Sequence, residues 1–175
     1  MKILSLLLLT TLSIYLSAQP NEAPIIKDFG KIYAIPEAEE LPQPDLNYKI
    51  VIDIKSGSSY EALNSALNNI ARMMNLHGVG GVPANQLEVV GVIHAGATSS
   101  VLTDESFNSR YGRDNPNVKI IEALTTAGVK LFVCGQSMIG RGFQFEELNP
   151  KIKLSISALT VLTTYQMLGY KPLVF

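Results

Sequence analysis

From residue 48 to residue 175, short runs of branched apolar residues alternate with segments of helical periodicity. This alternation favours parallel strands joined by helical crossovers, because two parallel strands cannot be joined by a tight turn. Near-continuous apolar runs are typical of strands that are covered on both faces. We therefore expect an α/β fold with a mostly parallel sheet of about five strands and helices on both faces, the strands lying at 48–54, 87–94, 129–133, 152–156 and 173–175.

Capping signals set the expected helix ends. Ser58 and Glu61 form a capping-box pattern, so the first helix is expected to begin there. Asn115 followed by proline is typical of a helix start and predicts that another helix begins at this point. The last helix is expected over residues 157–168.

The only cysteine, Cys134, directly follows the expected strand 129–133 and precedes Gly135, Gln136 and Ser137. It is therefore predicted at the carboxyl end of a core strand, where open α/β sheets bind their ligands. Backbone N–H groups at the start of a following helix would favour the thiolate and lower the pKa of the thiol. A lone cysteine also packs well as a small buried hydrophobe, so a functional and a structural thiol both stay open.

His94 ends the expected strand 87–94 and occupies the same kind of position as Cys134. If the two strands are neighbours, their axes lie about 4.8 Å apart and the imidazole could reach the sulfur. The imidazole could also simply hydrogen-bond a nearby loop. Cys134 and His94 are the candidate catalytic residues.

Composition narrows the classes of function. With 175 residues, 47% of them hydrophobic and 17% charged, the chain is long and apolar enough for one globular domain. A net charge of −1 and the lack of a basic tract argue against a nucleic-acid partner. The cysteine and the two histidines lie far apart in the sequence, so neither a metal nor another cofactor is predicted.

The first 18 residues resemble a secretory signal peptide. Lys2 is the charged start, residues 3–16 are apolar, and small residues precede an expected cleavage after Ala18. The apolar run is shorter than the roughly 20 residues that span a bilayer, so no stable membrane anchor is expected. A buried first helix is the alternative. We expect a periplasmic or secreted protein.

Five of the nine prolines fall within residues 19–46. Closely spaced prolines disfavour a helix and indicate an extended arm or linker. The apolar residues 32–35 are expected to lie on a partner surface or on a sheet edge. The expected organisation is a signal peptide at 1–18, a Pro-rich arm at 19–46 and an α/β domain at 47–175.

The segment Val133-Cys-Gly-Gln-Ser137, preceded by Ala127-Gly-Val129, resembles the DsrE/DsrF-like family, in particular its secreted, YchN-like members. Weaker similarities occur at 48–53, 68–70, 92–96, 157–159 and 168–170. The resemblance covers about residues 27–175. It implies a three-layer α/β/α fold and a homo-oligomer such as a trimer or hexamer.

The resemblance also implies a function. Family members linked to sulfur oxidation or sulfur relay carry a persulfide on the cysteine that matches Cys134 and pass the sulfur to a thiol-bearing protein partner. His94 would then act as a base or stabilise the thiolate. Gly135, Gln136 and Ser137 would form the binding site, with hydrogen bonds from Gln136 and Ser137 holding the outer sulfur.

Two other functions stay open at this point. One is a non-enzymatic oligomeric protein that binds a small ligand near His94 and Cys134. The other is a redox sensor in which Cys134 is oxidised to a sulfenic acid or a mixed disulfide. The sequence does not decide whether the protein is an enzyme.

Overall fold

A computed structural model describes residues 20–21 and 23–175, so the expected signal peptide lies outside the described residues. The strands are β1 (Pro20–Asn21), β2 (Ile32–Tyr33), β3 (Tyr48–Ile54), β4 (Leu87–Ile93), β5 (Lys130–Cys134), β6 (Lys153–Ser155) and β7 (Lys171–Val174). The helices are α1 (Ser65–Val79), α2 (Asp104–Tyr111), α3 (Val118–Thr126), α4 (Gly135–Gly140) and α5 (Ala158–Met167). Short 3-10 turns lie at Ala84–Gln86, Ala95–Val101 and Phe145–Glu147.

The last five strands form one sheet in the order β6-β5-β4-β3-β7, and every neighbouring pair is parallel. Alternate residues of a strand point to opposite faces, so each face has its own core. Ile52 packs with α1 and α3 in the larger core, whereas Val51 packs with α5 in a smaller one. The expected parallel sheet with helices on both faces is confirmed.

The first helix begins later than the capping-box pattern predicts. Asn64 is the N-cap of α1, and its side-chain oxygen accepts hydrogen bonds from the backbone of Ala66 and Leu67. Ser58 instead donates to the carbonyl of Ala62 within a turn, and Glu61 contacts Arg113 at 2.8 Å. The predicted start at Ser58 is therefore wrong, because both of its capping groups have other partners.

A buried asparagine network sets the start of α3. The side-chain oxygen of Asn115 accepts a hydrogen bond from the backbone N–H of Asn117 at 3.0 Å, which turns the chain before the helix begins at Val118. Asn117 in turn accepts the backbone N–H of Asn64 at 2.7 Å. The helix thus starts after Asn117 and not directly after Asn115, and its start is tied to that of α1.

Residues 23–46 of the arm are held against α1 by one fully buried side chain, Asn75. Its oxygen accepts the backbone N–H groups of Ile25 and Ile26, at 3.1 and 2.8 Å. Its amide nitrogen donates to the carbonyls of Ile26, Phe29 and Gly30, at 3.1, 3.0 and 3.1 Å. We call this arrangement the Asn75 clasp.

Apolar contacts add to the clasp. Ile26 and Ile32 of the arm are buried, and Ile26 belongs to the larger core. Ile32 lies in β2, which pairs antiparallel with β1. None of the helices in the described ranges is long and apolar enough to cross a membrane.

Candidate functional site

Cys134 and His94 occupy neighbouring positions at the carboxyl edge of the sheet. Ile93 of β4 is paired with Val133 of β5, so the next residues along the two parallel strands are His94 and Cys134. Cys134 packs with Val92 in the core beneath α5, and His94 follows Val92 on the same face by the two-residue repeat of a strand.

The start of α5 lies against the Cys134 sulfur. Ser157 is the N-cap of this helix, and its hydroxyl oxygen lies 4.0 Å from the sulfur. The thiol is buried, with 4% of the residue exposed. No role for Ser157 at the site was predicted from the sequence.

Burial raises the pKa of the Cys134 thiol, but hydrogen bonds outweigh this effect and leave the pKa below its ordinary value. The donors are the Ser137 hydroxyl, the backbone N–H groups of Ala158 and Ser137, and the Ser157 hydroxyl. Each of them stabilises the thiolate more than the thiol. We call Ser137, Ser157 and Ala158 the thiol cradle.

The three residues after Cys134 differ in their placement. Gly135 is buried at the start of α4, and Gln136 is exposed. Ser137 is half-buried, and its hydroxyl accepts the backbone N–H of Ala95 at 3.2 Å, which ties the end of β4 to the cradle. Of the three, Ser137 is the one that lowers the pKa of the Cys134 thiol, through its hydroxyl and its backbone N–H.

The backbone that follows β4 is strained at Ala95, the residue after His94. This residue has a φ of 48°, in the left-handed region that costs a residue with a Cβ atom about 1–2 kcal/mol. The hydrogen bond to Ser137 holds Ala95 in this conformation. Strained residues of this kind cluster at functional sites.

His94 contacts Asp53 on the opposite side from Cys134. Its Nε2 lies 2.5 Å from Oδ1 of Asp53, and the two side chains are 24% and 26% exposed. Because β4 lies between β3 and β5, the three side chains follow the order Asp53, His94, Cys134 across the sheet. The hydrogen bond of the imidazole goes to Asp53 and not to the sulfur.

Sequence reasoning did not give Asp53 a role either. The sequence feature that indicates a role for Asp53 is its position among the branched apolar residues of β3, where a carboxylate needs a partner. The signal for Ser157 was a hydroxyl residue directly before an apolar helix, which is a capping pattern. Neither signal identifies the partner, because both partners come from distant parts of the chain.

Among residues 20–21 and 23–175, no group of three or more His, Cys, Asp and Glu side chains could hold a metal ion. What the described groups offer is acid–base and nucleophilic chemistry. A thiol with a lowered pKa can act as a nucleophile, and a histidine beside a carboxylate can exchange a proton.

Comparisons with solved structures support the same fold. The chain is similar to MTH1491, a protein of unknown function from Methanobacterium thermoautotrophicum, with 14% identity and a TM-score of 0.56. It is also similar to the ychN protein from E. coli, with 20% identity and a TM-score of 0.55. Each match covers 73% of this chain and 99% of the other. At these identities the likeness establishes the fold alone, a three-layer α/β/α arrangement.

The sequence comparisons give the family. No curated protein matches the chain. The profile of the DsrE/DsrF-like family matches residues 49–175, which comprise the whole five-stranded sheet except the first residue of β3. The chain therefore belongs to the DsrE/DsrF-like family.

Proposed function

We propose that this protein carries sulfane sulfur as a persulfide on Cys134. The observation that carries the proposal is the thiol cradle, which lowers the pKa of the Cys134 thiol although the side chain is buried. A persulfide forms by attack of a thiolate, so a lowered pKa increases the reactive fraction at neutral pH. Membership of a family linked to sulfur relay supports the same reaction.

The transfer step conserves atoms and electrons. The Cys134 thiolate attacks the outer sulfur of a donor hydropersulfide, R–S–SH. The S–S bond of the donor breaks, a new S–S bond forms on Cys134, and the donor leaves as the thiolate R–S⁻. The acceptor that we propose is the thiol of a protein partner, which removes the outer sulfur in the same manner.

Burial places a condition on this function. A sulfane carrier needs a sulfur that its donor can reach, whereas Cys134 is only 4% exposed. Ser157 and Ala158 at the start of α5 contact the sulfur. We therefore propose that the start of α5 moves aside when the donor binds.

Intact mass after incubation with inorganic polysulfide tests the proposal. We expect the wild-type protein to gain the mass of at least one sulfur atom, a thiol reductant to reverse the gain, and Cys134→Ser to gain nothing. This serine substitution keeps the size of the side chain nearly constant but removes the nucleophile. Circular dichroism of the variant controls for folding.

Other outcomes favour the other two functions. If the wild type gains no sulfur and its thiol alkylates slowly at neutral pH, Cys134 is a structural cysteine. This outcome favours the non-enzymatic ligand-binding function. If peroxide modifies Cys134 and polysulfide does not, the protein is a thiol redox sensor.

We also propose that the protein assembles as a homo-oligomer through the exposed side of α5. Around this helix, Ile156, Leu159 and Met167 are 78%, 74% and 87% exposed, and no residue of α5 carries a charge. Contiguous exposed apolar surface is typical of protein interfaces. A second copy of the chain would bury these side chains.

Leu159→Glu is expected to shift the protein from oligomer to monomer, because the substitution places a carboxylate within the apolar interface. Size-exclusion chromatography with light scattering measures the change. Ile35→Glu is the matched control, since Ile35 is also strongly exposed but lies in the arm. A monomeric wild type, or an equal effect of the two substitutions, would contradict this interface.

Export to the periplasm or out of the cell is part of the proposal, on the basis of the signal-like residues 1–18. Oxidising compartments hold few free thiols. An exported carrier would therefore need an acceptor protein whose thiol is kept reduced.

A further inference from the structure

The Cys134 thiolate is already stabilised without His94. The donors that lower the pKa of the thiol are Ser137, Ser157 and Ala158, and His94 is not one of them. Stabilisation of the Cys134 thiolate therefore does not depend on His94. A sulfur transfer also involves a second thiol. The donor leaves as a thiolate that must gain a proton, and the acceptor is a thiol that must lose one.

The Asp53 contact fixes which nitrogen of His94 is available. An ionised carboxylate only accepts hydrogen bonds, so Nε2 carries the hydrogen in its contact with Oδ1 of Asp53. The other nitrogen, Nδ1, has no hydrogen-bond partner within the described part of the chain. It is the nitrogen left to exchange a proton with a bound reactant.

We propose that His94, oriented by Asp53, gives a proton to the donor thiolate as it leaves and takes a proton from the acceptor thiol, while Cys134 needs no base. This inference rests on the proposed persulfide function. His94 is then a catalytic residue, because Nδ1 meets the reacting sulfur of the second thiol. Asp53 is a positioning residue that acts through His94.

The proton balance closes over one cycle. In loading, the Cys134 thiolate, R–S–SH and protonated His94 give the Cys134 persulfide, R–SH and neutral His94. In unloading, the Cys134 persulfide, an acceptor R′–SH and neutral His94 give R′–S–SH, the Cys134 thiolate and protonated His94. Each turnover therefore returns Cys134 and His94 to their starting states.

The surroundings of His94 leave Asp53 as its direct charged partner. At the carboxyl end of β3, the charged groups are Asp53 and Lys55, which directly follows the strand and is exposed. From β5, the titratable group at the same edge of the sheet is Cys134 itself, since Lys130 begins the strand at its other end. The helix on this face, α5, contributes no charged side chain.

The test compares three reactions of Cys134 that differ in their need for a proton. Glutathione persulfide releases a basic thiolate, whose departure a proton assists. Benzenethiosulfonate transfers the same sulfur but releases a sulfinate, a weak base that needs no proton. Iodoacetamide reports the reactivity of the Cys134 thiolate alone. All three are measured on the full-length protein and on His94→Gln, Asp53→Asn and the control His77→Gln.

We expect His94→Gln to slow loading from glutathione persulfide by about 10²-fold, the lower end of what a positioned general acid contributes. Loading from benzenethiosulfonate and alkylation by iodoacetamide should stay at the wild-type rates. Asp53→Asn should show the same pattern with a smaller loss, because the asparagine oxygen still orients the ring. His77→Gln should match the wild type, since His77 lies in α1 with Nδ1 2.9 Å from the carbonyl of Met73.

The results that would contradict the proton role of His94 differ from those that would contradict the persulfide function. If His94→Gln also slows alkylation, His94 is the base of Cys134 and the inference is wrong. It is equally wrong if all three rates stay unchanged. If His94→Gln loses its near-ultraviolet circular dichroism, Asp53→Asn decides: equal loss in all three reactions, or in none, contradicts the inference. If the wild type loads from neither donor, the persulfide function itself fails, and the proton role fails with it.

Discussion

Asn75→Ala is expected to lower the free energy of unfolding by about 3 kcal/mol and to release the arm from α1. Five backbone groups lose their partner in this variant, and each buried group left unpaired costs about 1–3 kcal/mol. The expected loss is smaller than the summed cost of five unpaired groups, because the arm can move away from α1 and its backbone groups can then hydrogen-bond to water. Urea unfolding measures the loss, and hydrogen exchange at the amides of Ile25 and Ile26 measures the release.

Two further variants show which property of Asn75 matters. Asn68 makes a single bond to the arm, with the backbone N–H of Gly30 at 3.0 Å, so Asn68→Ala should cost only about 1 kcal/mol. Asn75→Asp keeps the shape but turns an oxygen toward three carbonyls, so it should destabilise at least as much as Asn75→Ala. The clasp would be contradicted if Asn75→Ala cost no more than Asn68→Ala.

Gly135→Ala is expected to destabilise the protein by about 1–3 kcal/mol and to slow alkylation of Cys134 at neutral pH. A Cβ atom at position 135 would lie 2.8 Å from the backbone oxygen of Ser155, so α4 must move away from β6. The Ser137 hydroxyl and N–H move with α4, and the pKa of the Cys134 thiol then rises toward its ordinary value. Urea unfolding and the pH dependence of iodoacetamide alkylation measure the two effects.

Gly140→Ala is the matched control in the same helix. No atom lies within 4 Å of a Cβ placed at Gly140, so the methyl group meets open space. Alanine is the better helix former, and the variant should gain about 0.5–1 kcal/mol and leave the thiol unchanged. Equal stability and equal alkylation of the two variants would show that close packing at Gly135 does not set the cradle.

The parallel sheet was predictable because strand patterning is a local property. The branched run at Tyr48–Ile54 predicted β3 with its observed ends, and the position of Cys134 at the end of β5 followed from the apolar run before it. The carboxyl ends of neighbouring parallel strands meet at one edge, so His94 and Cys134 could be expected together. These inferences need only the repeat of a strand and the topology that it favours.

The partners of these residues were not predictable in the same way. The sequence left open whether His94 reaches Cys134 or a nearby loop, and the structure pairs it with Asp53, 41 residues earlier. The sulfur contacts Ser157, 23 residues later, at the start of α5. Which of several nearby groups an imidazole or a thiol contacts depends on side-chain rotamers and on loop packing, and no local pattern encodes either.

The late start of α1 has the same cause. Asn64 and Ser58 are both acceptable caps by residue type. The choice falls on Asn64 because its backbone N–H is held by Asn117, a residue that lies 53 positions away. A long-range contact thus decides between two locally equivalent helix starts.

The clasp consists only of uncharged groups, one side-chain amide and five backbone groups. In the described part of the chain, no ion pair joins the arm to the domain. Salt screens charges but not neutral amides, and none of these amides ionises between acidic and alkaline conditions. A change in the acidity or ionic strength of the surroundings would therefore leave the arm in place, and its release would call for a competing chain, heat or proteolysis.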